Sequence, residues 1–188
     1  MKNSARGPLD SGFAAAHCLL SDRFMLCVAS EQYLDGLDTL LNDRIIADWL
    51  GGARSRDDIL KAVRSERNHW ERFGFGPWIV VDRATEAVMG RGGVRRAEVM
   101  GVEEWELFYA VAPSFWGRGL ATKLAHAALE LSFSNQAVAS VIGFTTHANK
   151  ASQRVLRKLG FKQESEFEHA GLPHVLFRLL RSDFLEAK

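Results

Sequence analysis

The chain has 188 residues, of which 47% are apolar and 25% are charged, a composition typical of a single compact globular domain. Its 24 basic and 23 acidic side chains leave a net charge of +1, which argues against broad nucleic-acid binding but permits a local phosphate site. The two cysteines, Cys18 and Cys27, are too few for a disulfide framework or a zinc site, so we expect a cytoplasmic protein without a metal.

The sequence divides into an N-terminal extension, residues 1–20, and one domain, residues 21–188. The mildly apolar stretch 13–20 is interrupted by His17 and followed at once by charged residues, which does not fit a signal peptide. No apolar run approaches the roughly 20 residues that a membrane-crossing helix needs. We therefore expect no membrane or nucleic-acid partner, and either a monomer or a homodimer.

The first part of the domain is predicted to be a strand followed by helices. A β-rich run predicts the strand over 24–29. Ser30 and Ser55 are typical helix N-caps, and glycines at 51 and 52 end a short helix. Helices are therefore expected from Ser30 to about 41, over 45–50, and from Ser55 to about 73.

The second part is predicted to be mainly sheet, beginning after the turn at residues 74–77. Pro113 should end the third of its strands, because proline has no backbone N–H to donate to a sheet. This pattern predicts a mixed α/β (α+β) domain. The expected strands are 78–82, 87–94, about 104–111, 138–145, 161–167 and 175–180, with helices over about 119–133 and from 149 to 159.

A glycine-containing loop, Phe115-Trp-Gly-Arg-Gly-Leu-Ala121, opens the first of these two helices. A helix N-terminus carries free N–H groups and a partial positive charge, which attract phosphate. Gly117 and Gly119 let the backbone approach an anion, and Arg118 could add a charge contact. An ordinary tight strand-to-helix turn explains the same spacing equally well.

The second helix begins Asn-Lys-Ala-Ser at residues 149–152 and ends Lys-Leu-Gly-Phe at 158–161. Asn149 and Ser152 are three residues apart, so they lie close together at the helix start. Two small polar groups at a helix N-terminus can contact a ligand, although a plain capped helix is the simpler interpretation.

Taken together, the two segments resemble the GNAT acetyltransferase superfamily, and within it the ribosomal-protein N-acetyltransferase branch. The first is similar to its acetyl-CoA loop, Gln/Arg-x-x-Gly-x-Gly/Ala, and the second to its Asn-x-x-Ser…Lys-Leu-Gly-Phe element. The likeness spans roughly residues 20–180 and includes the segments 75–78, 88–90 and 106–122. It implies a GNAT-like domain whose mostly antiparallel sheet has splayed central strands flanked by helices.

The resemblance also implies acetyl-CoA as co-substrate. Its pantetheine arm would lie between the strand ending near Val111 and the strand 138–145, and a backbone N–H near Val111 would face the thioester carbonyl. Asn149 would bond the pantetheine or order the site, and Ser152 would protonate the leaving thiolate. The implied cofactor-binding residues are Ala110, Val111, Trp116, Gly117, Arg118, Gly119, Leu120, Ala121, Thr122, Asn149 and Ser152.

Three positions depart from the superfamily pattern. Ser114 replaces the Gln or Arg that often begins the loop. Leu156 stands where many members have a tyrosine general acid. The ribosomal-protein branch also lacks this tyrosine, which favours Ser152 for that role. Lys123 replaces a frequent Glu and could alter the preferred amine.

The acceptor side is defined less sharply. Glu106 is the candidate general base for the amine, directly or through water, but it could instead only pair with Arg95 or Arg96. Trp70, Trp78 and Tyr109 are candidate substrate residues, with a place in the core as the alternative. The six histidines show no metal-ligand spacing; His147, next to the Asn149 helix, is the one that could matter.

The predicted activity is acetyl transfer from acetyl-CoA to a primary amine, by direct attack in a ternary complex. The acceptor could be a protein N-terminus or a small-molecule amine. A non-catalytic CoA-binding sensor or scaffold is the alternative. An unrelated nucleotide site at the glycine loop is a third reading, but the loop lacks the lysine of a P-loop.

Overall fold

The computed structural model describes residues 18–19 and 21–187, and within them one sheet of eight strands is packed between helices. The strands are β1 (Cys18–Leu19), β2 (Phe24–Val28), β3 (Trp78–Asp82), β4 (Val88–Val99), β5 (Val102–Val111), β6 (Ser140–Thr146), β7 (Lys162–His169) and β8 (Leu172–Leu180). The α-helices are α1 (Leu34–Leu41), α2 (Arg44–Trp49), α3 (Arg56–Phe73), α4 (Leu120–Ser134), α5 (Lys150–Lys158) and α6 (Arg181–Glu186).

The spatial order of the strands is β1-β2-β3-β4-β5-β6-β8-β7. The central pair, β5 and β6, is parallel, and every other neighbouring pair is antiparallel. The predicted fold class, a mixed and mostly antiparallel sheet with flanking helices, is confirmed.

Two apolar clusters show how the helices cover the sheet. Alternate residues of a strand point to opposite faces, and Val80 packs in one cluster while its neighbour Ile79 packs in the other. The Val80 cluster contains the buried face of α4 and Leu156 of α5. The Ile79 cluster contains Leu37 of α1 and residues of α3. Thus α4 and α5 cover one face of the sheet, and α1 and the first half of α3 cover β2 and β3 on the other, while Trp70 near the end of α3 joins the Val80 cluster.

Most predicted elements are found, and the capping predictions at Ser55 and Asn149 are confirmed. The Ser55 hydroxyl accepts the Asp58 N–H at 3.1 Å, and the Asn149 side chain accepts the Ser152 N–H at 3.0 Å. The prediction for Ser30 is wrong, because its side chain caps no helix. A 3-10 turn over Glu31–Tyr33 comes first, and α1 begins only at Leu34.

The strands near the two hairpin turns are longer than predicted. β4 continues to Val99 and β5 begins at Val102, because Met100 and Gly101 both adopt positive φ, 52° and 77°, as a two-residue hairpin turn requires. Likewise, β7 and β8 are joined by Ala170-Gly171 alone. Neither α6 nor β1 is predicted from the sequence.

Residues 1–17 and 20, which make up most of the predicted extension, lie outside the described residues. Cys18 and Leu19, assigned to that extension, pair with Leu26 and Met25 of β2. Among the helices of the described part, none combines the length and apolarity of a membrane span. The cytoplasmic location stays a prediction.

Candidate active site

A gap opens in the middle of the sheet between β5 and β6. The two strands are in register at one position, Glu106 opposite Ile142, whereas β4 and β5 pair continuously from Val99 and Val102 to Gly90 and Val111. Within the described residues, the half of β5 from Leu107 to Val111 therefore has no register partner on the β6 side. This is the splay that the resemblance implies.

Gly143 allows α5 to pack where the gap begins. A Cβ atom at this position would lie 2.9 Å from a methyl carbon of Leu156 and 3.5 Å from the carbonyl oxygen of Leu107. Leu156 is only 2% exposed. A glycine is therefore needed here for α5 to rest directly on β6, next to the end of the paired region.

The end of β5 directs a backbone donor into the gap. The N–H of Ala112 donates to the Met89 carbonyl at 2.9 Å, on the β4 side. Because N–H direction alternates along a strand, the N–H of the preceding residue, Val111, points toward the gap. The carbonyl of Val111 accepts a hydrogen bond from the Trp116 indole at 2.7 Å, so the N–H is the backbone group of this residue that is left to face the gap.

The glycine loop leads from this strand end into α4. Gly117 and Gly119 have φ values of 71° and 76°, in the left-handed region that favours glycine. A Cβ atom at either position would meet nothing within 4 Å. The positive φ, and not a lack of space for a side chain, therefore explains why glycine is present at both positions. The surface beside the loop is open.

The N-terminus of α4 has the features of an anion site. Gly119 is its N-cap residue and supplies no side-chain cap, and the first turn contains no acidic residue. The first N–H groups of this 15-residue helix are therefore available to a ligand, at the positive end of the helix dipole. Leu120, 3% exposed, anchors the helix start in the core. These residues fit a pyrophosphate group.

Ser152 lies on the other side of the gap, in the first turn of α5. Its N–H is held by the Asn149 side chain at 3.0 Å. Its hydroxyl oxygen is 3.0 Å from the hydroxyl of Tyr109, which also lies 3.2 Å from the Ser152 carbonyl oxygen. β5 and α5 are thus joined by a polar contact between residues 43 positions apart.

Tyr109 lies on the α4–α5 side of the sheet, where it packs against the cluster of Leu107 and Val111. From the sequence, Tyr109 is predicted to line the substrate site or to lie in the core; in the structure its hydroxyl contacts Ser152. Burial raises the pKa of Tyr109 to about 12, so the phenol is protonated at neutral pH.

Glu106 points to the opposite face of β5 and is 7% exposed. The guanidinium of Arg95, directly across the hairpin, donates to its carboxylate at 2.9 Å. Arg96 pairs with Glu103 instead, at 2.8 Å. Of the two partners considered from the sequence, the structure therefore selects Arg95.

Phe108 lies between two guanidinium groups that are not predicted from the sequence to be part of the site. Arg95 stands 4.4 Å and Arg91 5.2 Å from the centre of the Phe108 ring, within cation–π range. Arg91 is buried and forms an ion pair with Glu66 of α3. The spacing of four between the two arginines on a predicted strand could have indicated that they share a face.

Trp70 and Trp78 lie in the core, not in the gap. Each is 2% exposed, and their rings are 5.4 Å apart. The Trp70 indole donates to the Pro77 carbonyl at 2.7 Å. Because both rings are enclosed by protein, the structure does not bring these two predicted substrate residues to a surface that a substrate reaches.

The Glu106 face continues onto β6, β8 and β7, where four rings meet. All centroid distances among Phe144, Phe167, His169 and His174 lie between 5.2 and 6.2 Å. These two histidines show no metal-ligand spacing in the sequence, and the strand register is what brings them together. His147 pairs with Glu166 at 3.2 Å. Within the described residues, no group of three or more His, Cys, Asp or Glu could hold a metal ion.

Comparison with known proteins agrees with this geometry. Residues 23–162 match the family described as Acetyltransferase (GNAT) domain. A Bacillus subtilis (strain 168) protein, YkkB, described as uncharacterized, is 25% identical over 143 residues, which are 76% of this chain and 83% of that protein.

Solved structures share the fold at low sequence identity. The ribosomal-protein-S5-alanine acetyltransferase of Vibrio fischeri has a TM-score of 0.70 at 16% identity, over 87% of this chain and 96% of that one. An acetyltransferase of Agrobacterium tumefaciens C58 has a TM-score of 0.71 at 17% identity, over 93% and 99%. The aminoglycoside acetyltransferase AAC(6′)-Ib was solved with paromomycin and acetyl-CoA. Its structure has a TM-score of 0.69 at 23% identity, over 89% of this chain and 98% of that one.

A sheet that splits between two parallel central strands, with a glycine loop opening the helix after the first, defines the GNAT class of acetyltransferase folds. The chain belongs to the GNAT acetyltransferase family.

The Asn149 side chain caps α5 by accepting the Ser152 N–H. This hydrogen bond should contribute to the free energy of unfolding, which can be measured separately from any activity. Replacing Asn149 by Ala removes the helix cap and should lower the free energy of unfolding by about 1 kcal/mol, measured by urea denaturation. Asn149→Asp keeps an acceptor oxygen and should remain close to the parent. Equal stability of the Ala and Asp variants would show that the cap contributes nothing measurable.

Proposed function

We propose that this chain is an acetyl-CoA-dependent N-acetyltransferase that acetylates a primary amine in a ternary complex. The observation that carries the proposal is the arrangement around the gap. An uncapped helix N-terminus with two left-handed glycines lies at the end of β5, and the hydroxyl of Ser152 lies on the side of α5. The known acetyl-CoA complex of AAC(6′)-Ib, a protein of the same fold, supports the choice of donor.

On this proposal, the backbone amides from Trp116 to Thr122 bind the pyrophosphate, with Gly117 and Gly119 allowing close approach and Arg118 adding charge. Ala110 and Val111 line the gap for the pantetheine arm, and the N–H of Val111 donates to the thioester oxygen. Acetyl-CoA supplies the activated acetyl group. Asn149 keeps Ser152 in place, and the hydroxyl of Ser152 donates a proton to the sulfur that leaves.

The amine must lose its proton before it can attack, and Glu106 is the proposed acceptor, directly or through water. Its burial and its position on the face away from Ser152 support this assignment. Arg95 would hold the carboxylate in a fixed orientation. Acid and base would then work from the two faces of one strand.

One observation favours the second candidate, a CoA-binding protein without catalysis. Glu106 already has an ion-pair partner in Arg95, so its role could end with stabilising the β4–β5 hairpin. The acceptor itself is proposed only as a class: proteins of this fold include a ribosomal-protein alanine acetyltransferase and an aminoglycoside acetyltransferase. A screen of N-terminal peptides and small primary amines, with detection of the released thiol, would identify the acceptor.

The phosphate role of the loop is tested with Gly117→Glu. Bulk and negative charge at this position should weaken acetyl-CoA binding at least 100-fold by calorimetry, which corresponds to about 2.7 kcal/mol. Gly171→Glu is the matched control, because Gly171 has a similar φ of 74° and equally open surroundings, so both variants carry the same backbone strain. Parent-like affinity in Gly117→Glu would remove the loop from the binding site.

The base role is tested with Glu106→Gln. If Glu106 accepts the amine proton, kcat should fall by about 10²- to 10⁴-fold near neutral pH while the Kd of acetyl-CoA stays unchanged. The loss should shrink at high pH, where the amine is already neutral. Glu103→Gln, at a carboxylate that is 76% exposed and pairs with Arg96, should keep parent activity. An unchanged rate and pH profile in Glu106→Gln would assign Glu106 a structural role and favour another base.

A further inference from the structure

We infer that Tyr109 is a positioning residue that orients the hydroxyl of Ser152 for proton donation into the gap between β5 and β6. The inference rests on the proposed function, since it specifies how Ser152 delivers a proton to the departing sulfur. It also reassigns Tyr109 from the substrate side to the leaving-group side of the reaction.

The contact is fixed from both sides of the gap. Tyr109 stands on β5, and its hydroxyl reaches Ser152 Oγ at 3.0 Å and the Ser152 carbonyl oxygen at 3.2 Å. Asn149 holds the N–H of Ser152 at 3.0 Å. Ser152 is therefore held at its N–H, its carbonyl and its side chain, which leaves the direction of its hydroxyl proton as the remaining freedom.

A count of protons shows that Tyr109 controls that direction. A phenol carries one proton, and a carbonyl oxygen can only accept. When the phenol donates to the Ser152 carbonyl, Ser152 donates to the phenol oxygen, and its proton is turned away from the gap. When the phenol donates to Ser152 Oγ, the serine proton is free to point to another acceptor. A thiolate in the gap, as an anionic acceptor, favours the second arrangement.

The same contact makes the proton transfer balance. As the carbon–sulfur bond breaks, its electron pair stays on sulfur, which takes the Ser152 proton while the phenol proton moves to Ser152 Oγ. A proton from solvent, equivalent to one released by the amine, replaces the phenol proton in the same step, so no charge stays on Tyr109. Without Tyr109 the charge would remain on an aliphatic hydroxyl oxygen. An aliphatic alkoxide is a stronger base than a phenolate, and burial raises the pKa of Tyr109 to about 12.

The neighbourhood explains why the phenol comes from β5. Leu156, one turn further along α5 than Ser152, is buried and packs over Gly143. Within α5, residues 150–158, the sequence contains no tyrosine. The two tyrosines of the chain are Tyr33 and Tyr109, and Tyr109 is the one that reaches the gap.

A double-mutant cycle tests the inference. The parent, Tyr109→Phe, Ser152→Ala and the double variant are compared for kcat with the best acceptor amine and for the Kd of acetyl-CoA. Tyr109→Phe should lower kcat by about 10- to 100-fold, toward the lower end of the range for general acid catalysis, and leave Kd unchanged. Because Tyr109 acts through Ser152, the double variant should be no slower than Ser152→Ala alone.

Tyr33→Phe is the matched control, because Tyr33 belongs to the cluster under α1 on the other face of the sheet; its kcat should equal that of the parent. Unchanged kcat in Tyr109→Phe overturns the inference. So does a further loss in the double variant equal to that in the parent background, which would mean that the phenol acts independently of Ser152. A parent that binds acetyl-CoA but acetylates no amine contradicts the proposed function itself, and the inference falls with it.

Discussion

Glu106 and Ile142 form the one register pair that joins β5 to β6, and past this pair the two strands separate. A split in the interior of a sheet leaves strand backbone groups without their usual partners, and buried backbone groups need partners. The Trp116 indole satisfies one of these groups, because it donates a hydrogen bond to the Val111 carbonyl. The N–H of Val111 stays open to a ligand, and the loop to α4 and the start of α5 stand on either side of it. The position of the split therefore decides where the proposed chemistry can occur.

The alternation of side chains along β5 separates the two proposed proton transfers. Tyr109 packs on the α4–α5 face and contacts Ser152, whereas Glu106 lies on the other face with Arg95. Because the acid and the base lie on opposite faces of the same strand, they do not exchange a proton directly. Each group also has its own surroundings, which can set its pKa separately. The acceptor amine would approach from the Glu106 face, beside Phe108 with its two arginines and the ring cluster around Phe144.

Features that depend on nearby residues could be predicted from the sequence. The Asn149 cap and the glycine loop follow from spacing within a few positions, and both were found. Partners distant in sequence could not be predicted, because they depend on register. The choice of Arg95 over Arg96 by Glu106 follows from a hairpin whose Met100-Gly101 turn carries none of the usual Asn-Gly or Asp-Gly signals. Aromatic residues are equally suited to a core and to a pocket, so sequence alone could not place Trp70 and Trp78.

The central claim is that the split sheet and the glycine loop bind acetyl-CoA together. Hydrogen–deuterium exchange of the full chain, with and without acetyl-CoA, tests it most directly. The account predicts slower exchange at two segments on the sides of the gap, 107–122 and 149–153, and unchanged exchange in the β7–β8 hairpin, 162–180. Protection that is absent from 116–122, or confined to other parts of the chain, would contradict it.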